Sequence, residues 1–454
     1  MDIPETRYAR SHDGAFIAYQ VFGQGDLDLL WIHPFFEHLE MMWEYPPVAR
    51  FYQAMGRFAR VIAMDQRGIG LSDRSHGFPD LETRMDDVRA VLDAAGSDRT
   101  ALWGAGVDGG ALCAMFAATY PQRVVALAFW NAQPSGAWAP DAPWGVREEE
   151  EEEFYAAVVE GWGMEEHTSK ILRLLGAPSM AEDREGVRWA AKTSRLMGSP
   201  GDILAFDRMY MDTDFRDILP AIHVPTAAIY RIGEGDTEGE LAGCEYVASH
   251  IPGALSLPIR GVGDAPPWLG DTAEVLATLK GFLDSVRREE AEMDRVLATV
   301  LFTDIVDSTA TAAVMGDTKW REMVIEHDNL AKAIVDRYRG EFVRGTGDGM
   351  LATFDGPARA VRCAQSFVDS AKTLGLEIRA GAHTGEITYG GNDLAGIGVH
   401  VAARVAAMAG SGQVWASSTV KDLTAGSGLT FEDAGEHELK GIPDRWHLYR
   451  VMAA

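Results

Sequence analysis

Two short segments in the second half of the chain each lead into an aspartate in a turn. Val296–Phe302 precedes Asp304, and Glu341–Arg344 precedes Gly347-Asp348-Gly349. Apolar and β-branched runs that end at Gly, Asp and Ser predict strands followed by turns. Two such strands would each deliver a carboxylate to a turn, and paired carboxylates can hold divalent metal ions over a polyphosphate.

The residues after Asp304 strengthen this interpretation. Ser308 and Thr309 stand close behind it, where we expect a helix to begin. Main-chain N–H groups at a helix start, together with two hydroxyls, can form an anion-binding site. Clusters of Asp, Gly and Ser usually make only turns, so the interpretation depends on the spacing and on the motifs that follow.

Further motifs follow in a fixed order. They are Ile378-Arg-Ala-Gly-Ala-His-Thr-Gly-Glu386, Asp393-Leu-Ala-Gly396, Val399-His-Val-Ala-Ala-Arg404 and Glu438-Leu-Lys-Gly441. With the two aspartate turns, the stretch from about Arg295 to Val451 resembles the class III nucleotide cyclase catalytic domain. The resemblance implies an α+β domain with a βαββαβ, ferredoxin-like core. It also implies a head-to-tail homodimer with the active site between two protomers.

The resemblance also implies roles for individual residues. Asp304 and Asp348 would hold two Mg²⁺ or Mn²⁺ ions, the arrangement of two-metal phosphoryl transfer. Arg404 matches the arginine that stabilises transition-state charge, and a guanidinium suits a phosphoryl group. Asp393 matches the carboxylate that accepts from the adenine 6-amino group and repels the guanine 6-oxo group. Lys440 would contact the triphosphate.

Two positions depart from the family pattern. Arg344 stands where the family has a base-reading lysine, and its longer, planar side chain alters the adenine fit. His400 stands where the family has the asparagine that orients the ribose, and its charge can change near neutral pH. We therefore expect low turnover or an altered pH dependence. A dimerising pseudo-cyclase that has lost its chemistry is the competing interpretation.

The first 284 residues predict an α/β domain of their own. Six apolar runs alternate with helical segments, at Leu29–His33, Val61–Met64, Ala101–Trp103, Val124–Ala128, Thr226–Tyr230 and Ala254–Pro258. Such alternation is typical of a mostly parallel sheet. With Asp65-Gln-Arg-Gly-Ile-Gly-Leu-Ser-Asp73 and Gly104-Ala-Gly-Val-Asp-Gly-Gly110 after two of the strands, the segment resembles the α/β-hydrolase fold. A helical cap is expected at about 134–220.

The hydrolase triad is missing from this segment. Alignment of the nucleophile elbow predicts Val107 at the nucleophile position, and the histidine position falls on Ala265. The acid position falls near Glu234 or Asp236. If the elbow is shifted by one residue, Asp108 becomes the nucleophile of an alternative hydrolase, although the late loop has no histidine to activate water.

The front domain also predicts a ligand pocket. Its many tryptophans suit an apolar small-molecule ligand, although any one of them is more often core packing. His33 lies in the loop that supports the oxyanion in hydrolases and fits a structural or a ligand-contacting role equally well. Residues 285–295 predict a short, stiff linker to the cyclase-like domain at 296–454.

Composition restricts the partners. The formal net charge of −27 argues against nucleic acid, because phosphate contacts need a basic face. The amino terminus lacks a charged-then-apolar signal pattern, and no apolar run is long enough to span a bilayer. Three scattered cysteines suit a reducing compartment, so we expect a cytoplasmic protein.

The sequence therefore predicts an adenylate cyclase that converts ATP to 3′,5′-cyclic AMP and pyrophosphate, fused to an inactive hydrolase-like sensor domain. One alternative is an α/β-hydrolase that uses Asp108 and is dimerised by a pseudo-cyclase domain. Another is a guanylate cyclase, which Asp393 opposes.

Overall fold

The computed structural model describes residues 3–33, 38–74, 79–233, 238–261, 264–293, 295–390 and 393–452. The chain divides into two compact units, Met1–Arg287 and Arg288–Ala454. Each unit contains one β-sheet with helices packed against it.

The described residues of the N-terminal unit form an eight-stranded sheet in the order β1-β2-β4-β3-β5-β6-β7-β8. Strands β3 to β8 run parallel, whereas β1 and β2 are antiparallel additions at one edge. All six strands predicted for this unit are present. The strands are β1 (Arg7–Arg10), β2 (Phe16–Phe22), β3 (Asp28–Ile32), β4 (Arg60–Met64), β5 (Thr100–Ala105), β6 (Val124–Trp130), β7 (Thr226–Ile232) and β8 (Leu255–Arg260).

Ten helices are described in the N-terminal unit. They are α1 (Pro46–Met55), α2 (Leu81–Ala94), α3 (Gly106–Thr119), α4 (Glu148–Gly161), α5 (Glu165–Leu174), α6 (Pro178–Glu182), α7 (Arg184–Met197), α8 (Pro200–Asp212), α9 (Glu238–His250) and α10 (Thr272–Met293). Helices α4 to α8 lie between β6 and β7 and form the helical cap. The order matches the α/β-hydrolase fold.

Both faces of this sheet are buried, as expected for parallel strands covered by helices. Alternate residues of β3 point to opposite faces: Trp31 joins the apolar cluster of α1 and α10, and Leu30 joins that of α2 and α3. Trp31 and Trp103 are fully buried, with ring centroids 4.3 Å apart, and Phe51 packs against both. These aromatic side chains are therefore part of the hydrophobic core.

The cap helices begin at residues that favour helix initiation. Asp183 accepts hydrogen bonds from the main-chain N–H groups of Glu185 and Gly186 at the start of α7. Ser199 and Asp202 form a reciprocal capping box around Pro200 at the start of α8. These contacts satisfy N–H groups that have no partner within the helix.

Helix α10 spans 22 residues and includes the segment that the sequence identified as a linker. Its first two-thirds bury Val275, Leu279 and Phe282, whereas Met293 at its end is exposed. The division between the two units falls within this helix, after Arg287. None of the helices in the described ranges has both the length and the apolar character that crossing a bilayer requires.

The described part of the C-terminal unit forms a second sheet in the order β10-β11-β9-β12-β14-β16-β15, with β13 paired to β12. Its strands are β9 (Arg295–Ile305), β10 (Glu341–Gly345), β11 (Met350–Phe354), β12 (Ile378–Gly390), β13 (Asp393–Ala395), β14 (Val414–Ser417), β15 (Phe431–Glu438) and β16 (Arg445–Val451). Its helices are α11 (Ser308–Met315), α12 (Asp317–Arg337), α13 (Pro357–Ala371), α14 (Ile397–Met408) and α15 (Ser418–Leu423).

The order of elements from β9 to β12 is the predicted βαββαβ core. Helix α14 packs closely against β12, because Gly381 has no side chain to separate them: a Cβ there would lie 2.0 Å from the main-chain nitrogen of Ala406. The position of α14 is therefore tightly constrained by the strand beneath it.

Candidate functional site

The two predicted metal carboxylates belong to adjoining turns of the C-terminal sheet. Asp304 is the penultimate residue of β9, and Asp348 lies in the turn between β10 and β11. The main-chain N–H of Ile305 donates to the carbonyl oxygen of Asp348 over 2.7 Å. Gly349 permits this close approach, because a Cβ there would lie 1.9 Å from the carbonyl oxygen of Thr303. The sheet therefore joins the two aspartate turns directly.

Ser308 lies beside the same pair, at the first residue of α11. Its hydroxyl donates to Oδ2 of Asp348 over 2.8 Å. Asp307, just before the helix, adopts a left-handed backbone conformation with φ of 56°, which turns the chain sharply from β9 into α11. Thr309 is the next residue and is exposed. The predicted helix start after Asp304 is confirmed.

Arg379 is a residue of this cluster that sequence reasoning missed. It lies opposite Asp304 in the pairing of β12 with β9. Its Nε donates to Oδ2 of Asp304 over 2.8 Å, and its Nη2 also contacts that oxygen. Its Nη1 lies 3.5 Å from the carbonyl oxygen of Ala407 near the end of α14. A cation beside the apolar Ile378 at the start of a strand was the signal that could have identified it.

A second group of predicted site residues lines a separate cavity of about 490 Å³. His400 and Arg404 reach it from α14, and Lys440 reaches it from the turn between β15 and β16. The Nε of Arg404 donates to the carbonyl oxygen of Lys440 over 3.1 Å. Gly396 and Ile397, at the start of α14, complete one wall. Neither Asp304 nor Asp348 lines this cavity.

The two predicted base-reading residues belong to different strands. Arg344 is exposed on β10, opposite Leu351 of β11. Asp393 begins β13, where its main chain pairs with Gly390. The structure describes only the main chain of Asp393, so its predicted role stays a prediction.

The chemistry of the carboxylate cluster fits a hard divalent cation. Aspartate oxygens are the ligands that Mg²⁺ and Mn²⁺ prefer, and Arg379 already places one positive charge against Asp304. Within the described ranges, no three Asp, Glu, His or Cys residues are arranged so that they could hold a metal ion by themselves. Asp304 and Asp348 would therefore hold the metal together with main-chain, water and substrate oxygens, as is usual for Mg²⁺.

The structure corrects the sequence alignment of the hydrolase elbow. The residue in the left-handed turn between β5 and α3 is Gly106, with φ of 64°, not Val107. Val107 lies within the first turn of α3 and is completely buried in the core. The strained turn residue is the one that presents a nucleophile in a hydrolase elbow, and Gly106 has no side chain to present. The prediction of Val107 at that position was wrong by one residue.

Asp108 is held in a buried polar cluster and is not presented to solvent. It is 2% exposed and accepts a hydrogen bond from Nε2 of Gln66 over 2.9 Å. Arg84, also buried, contacts Oε1 of the same glutamine. Burial raises the pKa of Asp108, and the positive charge of Arg84 partly offsets this effect. Such a carboxylate is poorly placed to attack a substrate, which counts against the alternative hydrolase that uses Asp108.

The other hydrolase positions that the structure describes offer no general base. Ala265 lies at the histidine position, and its carbonyl oxygen accepts from Nε1 of Trp130 over 2.7 Å. His33 is completely buried beside Trp31, and burial lowers its pKa to about 3. Glu234 and Asp236, the predicted acid positions, lie outside the described residues.

Two family models match the chain, one in each unit. The model described as alpha/beta hydrolase fold matches residues 30–207, and the model described as Adenylate and Guanylate cyclase catalytic domain matches residues 290–453. The solved bromoperoxidase from Bacillus anthracis superposes with a TM-score of 0.52 at 21% identity, covering 62% of this chain and 100% of that one. At this identity the likeness shows the fold alone.

The curated relatives match only part of this chain and part of their own length. "Putative adenylate cyclase 3" of Rhizobium meliloti (strain 1021) is 29% identical over 172 residues, which are 34% of this chain and 28% of that protein. An uncharacterized protein of Mycobacterium tuberculosis (strain ATCC 25618 / H37Rv) is 24% identical over 212 residues, 44% of this chain and 56% of its own length. The chain thus spans less than two-thirds of either relative.

We predict that Gly106→Ser will not create an esterase. The new hydroxyl has room, since the nearest atom to a Cβ there is Oδ1 of Asp108 at 3.7 Å, but Ala265 at the predicted histidine position cannot activate it. Hydrolysis of p-nitrophenyl acetate should stay at background. Val107→Ser is the matched control, which should lower stability by about 1–3 kcal/mol because it buries a hydroxyl in the core. Ester turnover in Gly106→Ser that Asp108→Asn abolishes would contradict this prediction.

Proposed function

We propose that this chain, which joins an α/β hydrolase fold to an adenylate and guanylate cyclase catalytic domain, is an adenylate cyclase. It would convert ATP to 3′,5′-cyclic AMP and pyrophosphate at sites formed between two copies of the chain. Its N-terminal unit would regulate that activity without hydrolysing a substrate of its own.

The separation of the site residues supports the proposal most strongly. Asp304, Asp348 and Ser308 form one cluster, whereas His400 and Arg404 line a cavity that excludes both aspartates. Phosphoryl transfer needs metal carboxylates and a charge-stabilising arginine at one reacting phosphate. A head-to-tail homodimer would set the carboxylate cluster of one protomer against the α14 cavity of its partner.

An exposed apolar surface borders that cavity. Leu297 of β9 is 67% exposed and Ile397 of α14 is 57% exposed. Val296 and Tyr389 are also exposed on the adjoining strands β9 and β12. Exposed apolar side chains of this size are typical of a surface that another subunit covers. This observation supports assembly through the cyclase domain.

In the proposed reaction the ribose 3′-oxygen attacks the α-phosphorus, the bond to the β-phosphate oxygen breaks, and pyrophosphate leaves. The 3′-hydroxyl proton is lost to solvent. Two Mg²⁺ or Mn²⁺ ions, when bound, would lower the pKa of that hydroxyl and neutralise triphosphate charge. Asp304 and Asp348 would hold them. The partner subunit's Arg404 would donate to the phosphoryl oxygens as charge develops.

The remaining residues would orient the nucleotide. His400 would donate to the ribose in place of an amide, and Lys440 would contact the triphosphate. Asp393 would accept from the adenine 6-amino group, with Arg344 as a longer donor than lysine. Arg344 and His400 differ from the family's lysine and asparagine, and they would alter the length and direction of the hydrogen bonds to the nucleotide. A low turnover rate is therefore expected.

The regulatory role of the N-terminal unit rests on two observations. Its elbow carries Gly106 in place of a nucleophile, so the fold is kept without the chemistry. Helix α10 continues from the core of that unit to within two residues of β9, the strand that ends at the first metal carboxylate. A helix of this kind can transmit a change in orientation to a site that depends on subunit alignment. The apolar ligand stays a prediction.

We predict that two inactive variants will restore each other. Asp304→Ala and Arg404→Ala should each reduce cyclisation at least about a hundredfold, because one removes a metal ligand and the other a transition-state donor. Mixed and allowed to exchange subunits, they form heterodimers in which one of the two sites has both groups. The rate should recover to about a quarter of the unmodified rate per protomer.

The control for this experiment is a mixture of Asp304→Ala with Asp348→Ala. Both changes lie in the same cluster, so every site in a mixed dimer lacks one carboxylate and no recovery is expected. Recovery in this control, or none in the first mixture despite proven subunit exchange, would refute sites shared between protomers.

We predict that the unmodified protein prefers ATP to GTP. Asp393→Ala should lower that preference about 5- to 100-fold, since one polar contact to the base contributes about 1–3 kcal/mol to discrimination. The measurement is kcat/KM for both nucleotides with Mn²⁺. A higher kcat/KM for GTP in the unmodified protein would favour a guanylate cyclase.

We predict that Ala291→Pro, near the exposed end of α10, will change the cyclase rate severalfold without unfolding either unit. Proline removes a helix hydrogen bond and bends the helix at a cost of about 3 kcal/mol. Ala291→Ser is the matched control. If the unmodified protein, Ala291→Pro and Ala291→Ser have equal cyclase rates at matched dimer concentration, α10 does not transmit regulation from the N-terminal unit.

A further inference from the structure

Arg379 connects the two half-sites within one protomer. Its guanidinium contacts the carboxylate of Asp304 through Nε and Nη2, and its Nη1 is directed at the carbonyl oxygen of Ala407. Ala407 lies one residue before the end of α14, and Arg404 lies three residues earlier on the same helix. One side chain therefore touches both a proposed metal ligand and the helix that carries the proposed transition-state arginine.

The contact with α14 is electrostatically favourable. The last four carbonyl groups of a helix have no partner within the helix, and they carry partial negative charge. A guanidinium near the carbonyl of Ala407 satisfies one of them. At 3.5 Å the contact is long for a hydrogen bond, because the same guanidinium is held at Asp304.

A divalent cation at Asp304 would change how Arg379 divides its contacts between Asp304 and Ala407. Asp304 would give its carboxylate oxygens to a bound cation, whose positive charge would repel the guanidinium and weaken the contact between Arg379 and Asp304. The negative end of α14 is the other partner already within reach. Because Gly381 lets α14 lie directly against β12, the end of the helix is within reach of a side chain on that strand.

We propose that Arg379 is a positioning residue that couples the two active sites of the dimer: metal binding at Asp304 releases it toward Ala407 and tightens the last turn of α14. This rests on the proposed function, because in the head-to-tail dimer α14 serves the site opposite to the one that Asp304 serves. Loading one site with metal then orders Arg404 for the other.

The test uses the full chain, Mn²⁺ as the probe and no nucleotide. Bound Mn²⁺ is counted by electron paramagnetic resonance, and amide hydrogen exchange is measured across 397–408 with and without the metal. In the unmodified protein, Mn²⁺ should slow exchange in the last turn of α14 about fivefold, the effect of about one added hydrogen bond. In Arg379→Gln, Mn²⁺ should still bind, and exchange in α14 should not change.

Two further variants separate a positioning role from a general loss of stability. Arg379→Lys keeps the positive charge but lacks the forked guanidinium, so Mn²⁺ should still slow hydrogen exchange in α14 in part. It can replace Arg379→Gln as the test variant if that protein does not fold. Arg359→Gln removes a partly exposed arginine of α13 that pairs with Asp355, and it should behave as the unmodified protein.

The outcomes are distinguishable. If Mn²⁺ binds and Asp348→Ala abolishes binding, yet α14 does not respond, the coupling is refuted and the proposed metal site stands. A response of α14 that persists in Arg379→Gln refutes the coupling equally. If Mn²⁺ does not bind the unmodified protein at millimolar concentration, both the metal site and the coupling are refuted.

Discussion

The C-terminal unit depends on holding two carboxylates at adjoining turns. The negative charges of two neighbouring carboxylates repel each other, and the repulsion is stronger where water is partly excluded. The hydrogen bond from Ile305 to the carbonyl of Asp348 joins the turns, and Arg379 and Ser308 each contact one carboxylate. The arrangement is thus built around negative charge that only cations can offset, which is the property a polyphosphate-metal site requires.

In the N-terminal unit the hydrolase fold is retained, whereas the described residues of the elbow present no nucleophilic side chain. Gly106 takes the strained turn where a nucleophile would stand, and Asp108 is turned into a buried cluster with Gln66 and Arg84. A sheet covered on both faces by helices tolerates this loss, because its stability comes from burial of apolar side chains and not from the triad.

Much of the architecture could be predicted from sequence, because strands and helices leave periodic apolar patterns. Both fold classes, the six strands of the front sheet and the start of α11 at Ser308 are confirmed. Val107 was misplaced because counting back from a later motif cannot detect which residue has positive φ. Arg379 was missed because its importance comes from pairing with Asp304 across two strands far apart in sequence. The assembly that would unite Arg404 with the carboxylates lies beyond a single chain.

The most direct test of the central claim is the rate of cyclic nucleotide formation by the purified full chain, measured with ATP and Mn²⁺ over a range of protein concentrations. An active site shared between protomers predicts 3′,5′-cyclic AMP as the product and a rate per chain that falls as dilution dissociates the dimer. No cyclic product at any concentration would contradict the proposed activity, and a rate per chain that stays constant while the protein is shown to become monomeric would contradict the shared site.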